Sequence, residues 1–179
     1  SYFGTSVFNH AKHRILWLLF LMLSATITGT IISRYEETIS AIPLLVSFIP
    51  MLMDTGGNCG TQSSTLVIRG IATDEIRFGD LFKVAFKESR IALLVGAALA
   101  AVNGLRIVVM YQDPRLAILL GVSLMCTVFL AELIGCLLPL LAKKVHLDPA
   151  IMAAPLITTI VDTCSIMIYF AIATHLFAL

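Results

Sequence analysis

Apolar residues along this chain come in long blocks, separated by short polar connections. Residues 15–33 form the first block, which as a helix would measure about 29 Å, the depth of a bilayer's hydrocarbon core. Residues 39–72 form a second stretch, too long for one straight crossing and interrupted by Pro43, Pro50 and a cluster of glycines. A charged connection covers residues 73–90. The later blocks are residues 91–111, residues 116–141 with Pro139 near the exit, and residues 150–179. The pattern predicts an all-α membrane protein with five transmembrane helices, so that residues 1–179 make up one transmembrane domain.

Composition narrows the class. Hydrophobic residues make up 59% of the chain and charged residues 13%, against about 25% charged in soluble domains. That surplus excludes a soluble enzyme and a disordered chain, and a net charge of +1 excludes a nucleic-acid module. Cys59, Cys126, Cys136 and Cys164 lie within apolar stretches without a CxxC pair, as packing residues do. The basic start (His10, Lys12, His13, Arg14) has no cleavage-site pattern behind it, so the first block is read as a span and not a signal peptide.

Charge also orients the spans. With sides alternating, nine Lys and Arg fall on the starting side, five of them between the second and third spans, and three on the other. The positive-inside rule then places the N-terminus in the cytoplasm and the C-terminus outside. No internal repeat is visible, so any two-fold symmetry is expected from a second copy of the chain.

Three acids interrupt the apolar blocks: Asp54, Glu132 and Asp162. A carboxylate at the bilayer centre costs roughly 2.5–3.5 kcal/mol on insertion scales, so each requires a cation, water or a proton. Asp162 has Thr158, Thr159 and Ser165 at helical spacing, a polar stripe suited to the wall of a water-filled path. Pro155, lacking an N–H, frees a carbonyl one turn earlier. In the second stretch Asp54, Asn58 and Gln62 recur every four residues on one face, beside Gly56, Gly57 and Gly60. Those glycines admit either a close neighbouring backbone or an ion with its waters. For Glu132 the readings left open are a second acidic ion site and a protonated carboxyl hydrogen-bonded between helices. Carboxylate, amide and hydroxyl oxygens suit Mg²⁺, Ca²⁺ or Mn²⁺, and so few of them suit Mg²⁺, which keeps most of its waters.

These residues resemble the membrane domain of the MgtE family of magnesium channels, relatives of the animal solute-carrier magnesium transporters. The likeness runs over nearly the whole chain, through Arg14-Ile15-Leu16-Trp17-Leu18, Gly57-Asn58-x-Gly60-x-Gln62, Asp148-Pro149-Ala150, Pro155, Thr158-Thr159, Asp162 and Tyr169-Phe170. It implies a homodimer with the pore at the subunit interface, lined by the second and fifth helices. It also implies a central Mg²⁺ site at Asp162 of both copies, aided by the Thr158 carbonyl. Members usually carry glycine where this chain has Ser165, and Asp54 is not general among them. They also carry a cytoplasmic regulatory domain ahead of the membrane part, which is absent from this chain.

The sequence therefore predicts a multi-pass protein of a prokaryotic plasma membrane, a Mg²⁺ channel with no cofactor, which could also carry Mn²⁺ or another divalent ion. The alternative is a secondary carrier exchanging Mg²⁺ for Na⁺ or H⁺ with help from Glu132. An enzyme is not expected: an intramembrane aspartyl protease would need a GxGD signature, and no GxSxG or HExxH occurs.

Overall fold

A computed structural model describes residues 6–146 and 149–178. Asp148 of the Asp-Pro-Ala run lies outside the described residues. Six α-helices follow one another: α1 (Val7–Arg34), α2 (Glu36–Ala41), α3 (Ile49–Ala72), α4 (Leu81–Tyr111), α5 (Pro114–Lys144) and α6 (Pro149–Phe177). No strand occurs among the described residues.

Local chemistry sets several boundaries. The Ser6 side chain caps α1 by accepting from the Asn9 N–H at 3.3 Å. Gln112, in the left-handed region at φ 53°, closes α4. One residue later Asp113 caps α5, accepting from the N–H groups of Arg115 and Leu116, with Pro114 in the first turn.

Two sequence expectations are revised. Residues 39–72 are not one broken span: α2 ends at Ala41, a 3₁₀ segment fills Pro43–Phe48, and α3 starts at Ile49 with Pro50 in its first turn. Pro43 lacks the N–H that would continue α2, and Pro50 is tolerated only where no such donor is required. The third long helix begins at Leu81, ahead of the expected residue 91, because residues 81–90 are mostly helix-forming Leu, Lys, Ala, Glu and Arg with no breaker among them.

The five long helices alternate in direction. Gly56 of α3 faces Thr127 of α5, Gly60 faces Ala131, and the Lys143 ammonium reaches the Ile71 carbonyl, so α3 and α5 run parallel. α6 runs against α3, with Gly56 beside Val161 and Gly60 beside Ile157. α4 packs on the outside of α5, where Gly96 meets Met125 and Val128. α1 packs chiefly on α6, through a Thr28–Thr163 hydroxyl bond of 2.8 Å and a Tyr35–Phe170 stack at 4.9 Å.

α3, α5 and α6 meet at backbone distance. A Cβ built on Gly135 would collide with the Gly60 carbonyl oxygen, and one on Gly60 would lie 2.5 Å from Ile157 Cγ2. The glycines at 56 and 60 thus serve packing between helices, one of the two readings the sequence left open.

Among the described residues four helices are long and apolar enough to cross a membrane: α1, α4 with the turn before it, α5, and α6 from Pro155. The chain is a multi-pass membrane protein. α3, about 36 Å long over its 24 residues, has the length but not the apolarity.

Candidate functional site

The polar side of α3 explains its low apolarity. Asp54, Asn58, Gln62 and Thr65 are exposed, while Gly56, Gly60, Ser63 and Val67 on the opposite side are buried against α5 and α6. The four-residue spacing of Asp54, Asn58 and Gln62 does produce one open stripe.

α6 brings the second acid to that stripe. An open cleft of about 480 Å³ is lined by Asp54, Gly57, Asn58 and Thr61 of α3 and by Thr158 and Asp162 of α6, with Ile49, Pro50 and Met53 at its end. The helices approach closely at its floor, where a Cβ on Gly57 would lie 3.2 Å from Thr158 Cγ2. Asp162 is half-buried and Asp54 exposed, so both carboxylates reach one water-accessible space. A second cleft of about 350 Å³, lined by Thr61, Gln62, Thr65 and Leu66, continues along the same face.

The hydroxyls around the clefts are largely occupied by their own helices. Thr61 donates to the Gly57 carbonyl at 2.7 Å and Thr65 to the Thr61 carbonyl at 2.8 Å. Thr158 and Thr159 both donate to the Pro155 carbonyl, at 3.0 and 2.9 Å. Their oxygens keep lone pairs for a cation or water, and the main cleft adds to them the carboxylates of Asp54 and Asp162 and the amide of Asn58. Among the described residues no three His, Cys, Asp or Glu side chains gather closely enough to cage a bare metal ion. Two carboxylates and an amide around open water suit a hard cation that keeps its hydration shell.

Two residues of the predicted path, Ser165 and Thr159, sit off the cleft, and so does Tyr169, seven residues on from Asp162. Ser165 is fully buried on the α6 side facing Gly56 and Thr127, and its hydroxyl finds no partner there. Thr159 is half-buried, and its carbonyl accepts the Thr163 hydroxyl on the side toward α1. Tyr169 shares the Asp162 stripe by spacing but lies under the 3₁₀ segment, donating to the Leu45 carbonyl at 2.9 Å.

Glu132 is buried elsewhere. On α3, Ser63 lies about half a turn from Asp54, and its hydroxyl donates 2.7 Å to Glu88 and 3.1 Å to the Glu132 carbonyl. Ser63 thus ties the Glu88 carboxylate of α4 to the Glu132 backbone of α5. Glu88 stands in what the sequence reads as a charged connection. The missed signal is helical spacing: once α4 begins at Leu81, Glu88, Ala92 and Gly96 fall on one buried stripe.

Comparison with known proteins agrees with these features. A family model described as "MgtE: Divalent cation transporter" matches residues 49–172, the stretch that carries both cleft-lining helices. Similar proteins include the magnesium transporter MgtE of Thermus thermophilus, 37% identical over 162 residues, which cover 89% of this chain and 35% of the relative. MgtE of Bacillus subtilis is 33% identical over 172 residues, or 96% of this chain and 38% of the relative. MgtE of Enterococcus faecalis is 33% identical over 168 residues, or 92% and 36%. The chain thus spans a little over a third of the length of these relatives. With every residue that lines the main cleft inside the matched stretch, the chain belongs to the MgtE family of divalent cation transporters.

Proposed function

We propose that this chain forms the ion path of a Mg²⁺ channel, open also to Mn²⁺ or Ca²⁺, in which two copies enclose a pore lined by α3 and α6. One observation carries the reading: Asp54 and Asp162, from different helices of a membrane protein, open onto the same cleft. An exposed stripe of Asp54, Asn58 and Gln62 is untenable against lipid. A second copy facing it would enclose water and make α3 a fifth span shielded from lipid. It would also bring a second Asp162 toward the ion, so that two negative charges meet one divalent cation. Asp162, with the Thr158 carbonyl, is the proposed Mg²⁺ site, and Asp54, Gly57, Asn58 and Gln62 line the approach. No cofactor and no catalytic step are involved.

Flux and current in liposomes containing only this protein test the mechanism. Mg²⁺ entry should be driven by voltage alone, since two charges crossing 100 mV are worth roughly 4.6 kcal/mol. Uptake that stops at fixed voltage when Na⁺ and H⁺ gradients are removed supports the carrier instead. The buried acids Glu88 and Glu132 are the features a carrier would use. Their place on the far side of α3, around Ser63, favours a structural role, so Glu132→Gln should lower Mg²⁺ flux by no more than about twofold, the amide keeping the size and hydrogen-bonding capacity of the carboxyl.

Orientation has its own test. Glu37 and Glu75 lie beyond opposite ends of α3. A cysteine at position 75 should react with an impermeant maleimide only from the cytoplasm, and one at position 37 only from outside. The inverse pattern reverses the topology.

A further inference from the structure

We infer that the first turns of α4 form a binding surface for anionic phospholipid headgroups, with Phe82 and Phe86 seated in the bilayer interface beside Lys87 and Arg90. The 31 residues of α4 measure about 46 Å, roughly 16 Å more than a hydrocarbon core of about 30 Å. The apolar run of α4 begins at Ile91, so residues 81–90 extend to headgroup depth.

On this overhang, side chains sort by face. Phe82 and Phe86, one turn apart, are 84% and 67% exposed. Lys83, Lys87 and Arg90 are exposed alongside them. Glu88, the one acid within α4, is turned inward to Ser63, so the outward face carries only positive charge. Lys83 is paired with Asp80 at 3.0 Å, which leaves Lys87 and Arg90 as the uncompensated cations of this overhang. Lys144 of α5 extends the basic face, its ammonium 4.5 Å from the centre of the Phe78 ring.

Continuity and charge identify the occupant. The aromatic face runs directly into exposed Leu93 and Leu94 on the same helix, a surface that lipid chains cover in a membrane protein. Aromatic rings are favoured at the headgroup level, and cations beside them attract phosphate that carries a net negative charge. Zwitterionic headgroups offer no such net charge. This inference is independent of the ion path.

A single fluorescent reporter tests it. Trp17→Phe removes the only native tryptophan and Phe82→Trp places one in the patch. The protein is reconstituted in mixed vesicles, with either the phosphatidylglycerol or the phosphatidylcholine brominated at equal mole fraction. Brominated phosphatidylglycerol should quench position 82 more strongly, and each cation removed should weaken that preference roughly fivefold. Lys87→Gln with Arg90→Gln should therefore abolish it, and so should 1 M salt acting on the protein with its cations intact. The salt arm reads the same property whether or not the double variant folds. Equal quenching by the two lipids at low salt overturns the inference. So does a preference that survives high salt. Absence of quenching by either lipid also overturns it, since protein would then cover this face.

Discussion

In Asp162→Asn, Mg²⁺ flux should fall to the level of protein-free liposomes while folding and assembly persist. The amide keeps the size and hydrogen-bonding capacity of the carboxylate and removes only its charge. Two unit charges 4 Å apart interact by roughly 4 kcal/mol at an effective dielectric of 20, and the figure doubles for a divalent ion. In the proposed ion path, where the ion keeps its waters, that doubling would favour Mg²⁺ over monovalent ions. Selectivity should therefore be lost along with rate. Asp54, more exposed and nearer the end of α3, should behave differently. Asp54→Asn should reduce flux several-fold and depend on ionic strength, because bulk salt screens an exposed charge. A well-folded Asp162→Asn protein with normal flux and selectivity would move the ion site to Asp54 and Asn58.

Gly135→Val should prevent the native bundle from forming, or lower its thermal midpoint more than any other single substitution at a helix contact. Overpacking a core usually costs about 1–3 kcal/mol because side chains can shift. Here the obstructing atom is the Gly60 backbone carbonyl, and α3 cannot retreat without moving away from α5. Gly135→Ala should already be harmful, with Val worse. Gly104 on α4 supplies the control, since a Cβ there meets nothing within 4 Å. Gly104→Ala should be neutral or stabilising by up to about 1 kcal/mol, the helix-propensity difference. Melting curves in one detergent rank the three. If Gly135→Ala melts with the wild type, the contact between the two backbones is looser than described.

Much of this architecture is legible in the sequence, because the membrane makes periodicity informative. An apolar block of about 20 residues allows few structures other than a helix, and Asp54, Asn58 and Gln62 stand out against it. Spacing alone also pairs Asp162 with Thr158, and both line the cleft. Spacing fails where two neighbours compete for a face. Ser165 and Tyr169 share the Asp162 stripe, yet the first turns toward Gly56 and the second lies under the 3₁₀ segment. Only the contacts of α6 with α3 and the 3₁₀ segment decide that. Glu88 escapes for a different reason. In a run with Lys83, Lys87 and Arg90 it reads as solvated, and its burial follows from α4 beginning ten residues before the apolar block.

The docking of α1 on α6 has a consequence for biogenesis. Of the helices described, α1 is the first to emerge during synthesis, and the partner it stacks and hydrogen-bonds with is the last. Through the making of the intervening helices α1 must reside in the bilayer with lipid on every side. Its side chains allow this: nearly all face outward, and Ser24, Thr26, Thr30 and Ser33 return their hydroxyls to carbonyls of their own helix. What α1 lacks until α6 arrives is a partner for Thr28 and a ring to stack on Tyr35. Among these helices α1 is therefore the last to settle, once α6 arrives to complete the contact.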